Sequence, residues 1–309
     1  MRLVALASPD FPPLAMLRAE RDLDLVAGED VDTLRRALRE RAADAIVLAP
    51  RNASKLVELW QEAQHVRWIH ALSAGVETLP FDLLRSSSVV VTNSRGLYAD
   101  ALGEFAIAAM LWFAKDLRRL AEQQRERRWE PFTVQRLEGR TVGIVGYGGI
   151  GQAIGRRAAA MGMRVLSVRR RQEFGDPTLD EVLAEADYVV LATPLTPATH
   201  RLLTRERLAS MRPDAVLINV SRGAVLDEAA LAGLLREGRI RGAALDVFET
   251  EPLPEASPLW ALDNVLVSPH SADRTADSHE RAMAFYLENL SRFRRGEPLE
   301  NVVDKEAGY

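Results

Sequence analysis

The chain holds five histidines, His65, His70, His200, His270 and His279, and of these His270 directly follows an apolar run, NVLVSP, that reads as a buried strand. Two earlier runs end in a similar way: AVLINVS is followed by Arg222, and GAALDV ends in Asp246 with Glu249 and Glu251 close behind. In open α/β sheets ligands bind outside the carboxyl ends of the strands. Three consecutive strand ends therefore supply a cation, carboxylates and an imidazole. An imidazole can carry a proton to or from a reacting atom, a neighbouring carboxylate favours its protonated form, and a guanidinium clamps an oxyanion. Glu251 is the carboxylate expected beside His270. Each residue alone has a plainer reading, a solvated loop charge or a structural histidine, and their co-location is what points to a site.

A second constellation lies upstream. Gly146-Tyr147-Gly148-Gly149-Ile150-Gly151 fits G-x-G-x-x-G between the apolar TVGIV and the helix-like QAIGRRAAAMG, the context in which this pattern binds a dinucleotide. Gly146 permits the tight turn, Gly148 lets backbone approach a pyrophosphate, and Gly151 lets helix pack on strand. Amides at the helix start then face phosphate. The next strand ends in Ser167-Val168-Arg169-Arg170-Arg171, where a carboxylate would accept bonds from the ribose of NAD. Guanidinium groups suit a 2′-phosphate instead, so NADP is expected as the preferred cofactor, with NAD possible. A nicotinamide, an arginine and a histidine together meet the needs of 2-oxo acid reduction: a hydride donor, a carboxylate clamp with carbonyl polarisation, and a proton for the emerging alkoxide.

These residues need a frame. Short apolar runs at 3–7, 45–48, 68–72 and 89–92 alternate with charged, helix-sized segments, and a second series of six runs starts at Thr141. The alternation predicts two doubly wound parallel sheets. Residues 99–129 read as one long helix, apolar in its first half and charged in its second, and 277–295 as another. At 309 residues, about two domains are expected. Forty Lys+Arg against 44 Asp+Glu, a net charge of −4, lack the basic balance of a nucleic-acid binder, so no such partner is expected. Zero cysteines exclude disulfides, thiolate zinc sites and a cysteine nucleophile. The histidines show no paired ligand spacing, so no metal is expected. No run approaches the ~20 apolar residues of a membrane span, and the apolar start is shorter than a secretory core, so a cytoplasmic protein is expected.

The ordered motifs GIVGYGGIGQAIG, LINVSRGAVLDEAAL, ALDVFETEPLP and NVLVSPHSA resemble the D-isomer-specific 2-hydroxyacid dehydrogenases, the glyoxylate/hydroxypyruvate reductase-like members among them. The resemblance runs from about Trp68 to Ala272. It implies that Arg222 binds and polarises an oxo acid, that His270 is the general acid in reduction, and that Glu251 pairs with it. Ser73, Ala74, Gly75 and Val76 match the loop that offers amides to the substrate carboxylate, and Asn93 and Gly96 match a turn near the crossing between domains. Thr193 and Pro194 match a cofactor-facing segment, while Val220 and Asp246 would contact the nicotinamide end. Two departures stand out. Arg169 stands where the family commonly places Asp, and Ser271-Ala272-Asp273-Arg274 puts charge beside His270 where many members carry small or apolar residues.

The expected architecture is a flavodoxin-like substrate domain formed by 1–97 and 272–309, with a Rossmann dinucleotide-binding domain, 98–271, inserted into it. The active site is expected in the cleft between them, closed by hinge motion. The apolar half of 99–129 suggests a partner helix across a twofold, hence a homodimer, with burial against the chain's own cofactor domain as the plainer reading. The expected activity is NADPH-dependent reduction of a small 2-oxo acid to a D-2-hydroxy acid. The alternatives are a related dehydrogenase of formate or phosphite and a nicotinamide-sensing corepressor-like binding protein. Arg51-Asn52, at another strand end, is either a substrate contact or a solvated loop.

Overall fold

The computed structural model describes residues 1–40, 43–50, 52–169 and 175–308. Arg51 and Arg170 therefore lie outside the described residues. The chain divides into two compact units, Met1–Leu97 with Thr275–Tyr309, and Tyr98–Arg274.

The first unit begins with β1 (Arg2–Leu6), α1 (Leu14–Arg18), β2 (Asp24–Gly28), α2 (Val31–Glu40), β3 (Ala45–Leu48), α3 (Lys55–Ala63), β4 (Trp68–Ala71), α4 (Phe81–Arg85) and β5 (Val90–Asn93). All five strands are parallel in the order β2-β1-β3-β4-β5. Crossover helices cover both faces of such a sheet, which is why its central strands read as continuous apolar runs instead of alternating ones. β3 is buried along its whole length.

The second unit holds α5 (Ala99–Lys115), α6 (Leu117–Glu126), β6 (Thr141–Val145), α7 (Gly149–Ala160), β7 (Arg164–Val168), α8 (Leu179–Glu185), β8 (Tyr188–Leu191), α9 (Arg205–Ala209), β9 (Val216–Asn219), α10 (Glu228–Arg236), β10 (Gly242–Leu245) and β11 (Val265–Val267). Its six strands are also parallel, ordered β11-β10-β9-β8-β6-β7. Consecutive strands step away from β6 on one side and then on the other, so the order reverses between β6 and β8, the place where α/β sheets bind ligands. The last helix, α11 (Ser278–Arg295), returns to the first unit.

The long helix expected over 99–129 is two helices. Asp116 adopts φ 47°, its amide closes α5 on the Phe113 and Trp112 carbonyls, and its carboxylate accepts the Arg119 amide at the start of α6. A short polar side chain that tolerates the left-handed region both ends one helix and caps the next. α5 lays its small face on α7: a Cβ at Gly103 would meet the Ala153 backbone at 3.4 Å and the Arg157 side chain at 3.2 Å. Part of its apolar surface is thus spent inside its own unit. No helix among the described residues is long and apolar enough to cross a membrane.

Candidate active site

The parallel register places the ends of β9, β10 and β11 side by side, Asn219 against Leu245 and Leu245 against Val267. The loops that leave these ends carry Arg222, Asp246 with Glu251, and His270. His270 Nδ1 lies 2.7 Å from Glu251 Oε2, both side chains being about one-third exposed at 36% and 34%. Glu251 is fixed in turn, because its Oε1 accepts the Phe248 amide at 3.1 Å. The imidazole thus has a carboxylate partner on one nitrogen, which orients the ring.

Asp246 organises the histidine loop from below. It is 1% exposed, and its Oδ1 accepts the Ser268 hydroxyl at 2.6 Å and the amides of Ser271 and Ala272 at 2.9 and 3.1 Å. The His270 amide donates to the Asp246 carbonyl at 2.9 Å. His270 itself sits at φ +51°, a conformation uncommon for a side chain of its size. A buried carboxylate that gathers donors on either side of the histidine holds this turn.

Arg222 leaves β9 in an extended conformation and donates from Nη1 to the Ser221 carbonyl at 2.6 Å. Asn219, fully buried, bends the chain there: its Oδ1 accepts the Ser221 amide and hydroxyl, and its Nδ2 donates to the Arg222 carbonyl. Next to it a Cβ on Gly223 would fall 1.8 Å from the Phe248 carbonyl carbon. The arginine loop therefore packs backbone to backbone against the loop that holds Glu251. Glu228 adds a third tie by accepting the Glu249 amide at 2.9 Å. Burial raises the Glu228 carboxyl above its ordinary range, and Glu249 and Glu251 push it the same way. Burial also raises Asp273, against the pull of the nearby His270.

At the other end of the sheet the glycine turn has the shape that a dinucleotide needs. Gly146 has φ +96°, and a Cβ on it would fall 2.7 Å from the Ala192 carbonyl oxygen and 2.8 Å from Thr193 Cα. A Cβ on Gly151 would strike the Gly146 carbonyl oxygen at 2.1 Å, whereas one on Gly148 or Gly149 meets nothing within 4 Å. Two glycines are thus demanded by packing and the others leave the backbone open to a phosphate. Ile150 occupies the first turn of α7, and Thr193 and Pro194 follow β8 beside the turn. Val220 is buried at the end of β9, its amide bonded to Leu191. These residues fit a dinucleotide. Arg169 lies past β7 with its guanidinium 5.0 Å from the Tyr147 ring centroid.

In the first unit, loop 73–76 follows β4. Ser73 Oγ donates to the Gly75 carbonyl at 2.8 Å and Asn93 Nδ2 to the Ala74 carbonyl at 2.7 Å. Among the described residues the amides of Ala74, Gly75 and Val76 have no acceptor. Gly96, at φ +94°, turns the chain away after Asn93. The sequence reading missed Asn219, Gly223 and Glu228 as positioning groups. The first two stand inside the NVSRG motif, next to the arginine, and only the third lacked a local signal.

Residues 107–272 match the family model for the D-isomer specific 2-hydroxyacid dehydrogenase, NAD binding domain. A glyoxylate reductase of Korarchaeum cryptofilum is 34% identical, with 96% of this chain and 94% of that protein covered. A solved D-isomer specific 2-hydroxyacid dehydrogenase family protein from Aeromonas salmonicida superposes with a TM-score of 0.85 at 31% identity, covering 98% of this chain and 99% of the other. A probable 2-hydroxyacid dehydrogenase from Rhizobium etli, solved with NADP, HEPES and L(+)-tartaric acid, gives 0.84 at 28% identity over 100% and 99% of the two chains.

Proposed function

Because the chain belongs to the D-isomer specific 2-hydroxyacid dehydrogenase family, we propose that it reduces small 2-oxo acids of the glyoxylate or hydroxypyruvate type to D-2-hydroxy acids and that it prefers NADPH. The single observation that carries the catalytic part is the His270–Glu251 pair at 2.7 Å on a strand-end loop. His270 delivers the proton to the oxygen of the former carbonyl, Glu251 holds the ring in place for that transfer, and Arg222 clamps and polarises the oxo acid. The amides of Ala74, Gly75 and Val76 serve the substrate carboxylate. Gly146, Tyr147, Gly148, Gly149, Ile150, Gly151, Thr193, Pro194, Val220 and Asp246 serve the dinucleotide. When bound, the nicotinamide supplies the hydride.

The NADPH reading rests on Arg169, exposed at the end of β7 where a guanidinium can meet a 2′-phosphate. The NADP bound to the Rhizobium etli protein agrees with it. Loss of NADPH absorbance with a panel of 2-oxo acids tests the reaction: turnover of at least one is expected, and none, with nucleotide binding demonstrated, rejects it. Arg169→Asp is expected to lower the NADPH/NADH preference, and an unchanged ratio of affinities removes the arginine from the argument. A homodimer is proposed as well, formed through the second unit. Leu117, Leu120, Val134 and Trp129, the last 94% exposed, give that unit an apolar surface near α6. Light scattering should show twice the chain mass, and a monomer at assay concentration defeats the proposal.

A further inference from the structure

We infer that Tyr147 is a positioning residue for Arg169, so that the glycine turn itself sets the cofactor preference; this rests on the NADPH reading above. β6 and β7 pair in parallel with Val145 opposite Val168, and the Gly146 amide extends the ladder by donating to the Val168 carbonyl at 3.0 Å. This pairing brings the start of the glycine turn, Gly146, beside the end of β7, so that Tyr147 and Arg169 both leave the sheet at the same edge.

Their side chains meet. The Arg169 guanidinium carbon stands 5.0 Å from the Tyr147 ring centroid, within the range of cation–π attraction. The other support of the ring is the bare backbone of Gly155, in the second turn of α7. A Cβ there would lie 2.6 Å from the Tyr147 hydroxyl oxygen and 3.0 Å from its Cε2. Gly155 is thus a seat for the ring, and an alanine, though a better helix former, would unseat it. A free arginine side chain at an exposed strand end spreads over many rotamers, and a phosphate that binds it must collect them at a cost in entropy. A ring already under the guanidinium removes part of that cost. The benefit reaches only the cofactor that carries a 2′-phosphate, because NADH offers the guanidinium no matching anion.

The test uses the full chain and dissociation constants for NADPH and NADH, read by protein fluorescence or calorimetry without any substrate. Tyr147→Leu is expected to weaken NADPH about two- to fivefold, the range of an exposed cation–π contact, with a smaller change for NADH. Tyr147→Phe, which keeps the ring face, is expected to retain the wild-type NADPH/NADH ratio. Gly155→Ala is expected to lower the ratio as Tyr147→Leu does. Arg169→Ala serves as the reference. If it lowers the ratio and Tyr147→Leu does not, or if Tyr147→Leu weakens both nucleotides equally, the positioning role is overturned while the NADPH reading stands. An unchanged ratio in Arg169→Ala itself overturns both.

Discussion

His70 lies in the five-stranded parallel sheet and His270 past the last strand of the six-stranded one, and the two imidazoles have opposite surroundings. His70 stands inside β4, wholly buried, with Nδ1 2.7 Å from Thr92 Oγ1 and Nε2 3.4 Å from Ser94 Oγ. Around it pack Trp68, Phe285 and Tyr286, rings and hydroxyls with no carboxylate among them. Burial alone drives its pKa from 6.5 down to about 3. His270 stands past the end of β11, half-exposed, with Glu251 on its Nδ1. A strand interior surrounded by hydroxyls and rings makes histidine a neutral packing element. A strand end beside a carboxylate leaves it partly exposed and oriented through one ring nitrogen.

If this contrast is right, the two histidines fail differently when changed. His270→Asn should lower kcat by ~10²–10⁴-fold with unchanged thermal stability, as expected for loss of a general acid; a loss under tenfold in steady-state assays would erase the distinction. Glu251→Gln acts through the ring. Hydrogen bonds to charged groups are worth about 1.5–3 kcal/mol, so kcat should fall roughly 10- to 100-fold, and an equal loss in the His270→Asn background would show that the two do not act as one unit.

His70 should instead register as stability against pH. The unfolded chain takes up a proton below 6.5 and the folded one only near 3, so stability is fully present above pH 6.5 and declines as pH falls between these values. By pH about 4.5 the loss is on the order of 2–3 kcal/mol. His70→Leu should flatten this slope in denaturant titrations, whatever its effect at neutral pH; an unaltered slope would contradict the buried neutral ring. The smallest expected effect sharpens the contrast at the loops of Arg222 and Glu251. Gly223→Ala forces a Cβ into the Phe248 backbone, for about 1–3 kcal/mol in unfolding experiments. It should also reduce kcat, because it separates the loops of Arg222 and Glu251.

The strand-end placement of Arg222, Glu251 and His270 and the shape of the glycine turn were legible in the sequence because each is local. Each of these residues follows an apolar run by a few positions, and the parallel sheet aligns strand ends whatever happens elsewhere. The same locality explains why Asn219 and Gly223 had a signal, as neighbours of Arg222. Glu228 gave none, since it meets Glu249 across 21 residues. The break of the long helix at Asp116 was missed because apolar periodicity continues through it, while one residue in the left-handed region decides the direction of the chain.

Composition and motif order thus determined two parallel α/β sheets, a dinucleotide turn, and which charged residues stand at strand ends, since these follow from hydrophobic period and backbone sterics along short stretches. Only the tertiary structure decided that Asp246 holds the histidine loop with one carboxylate oxygen, that Tyr147 lies between Gly155 and Arg169, and that His70 is sealed from water. Those outcomes depend on packing between segments far apart in the chain, where burial and hydrogen-bond satisfaction choose among roles that the residue types alone leave equal.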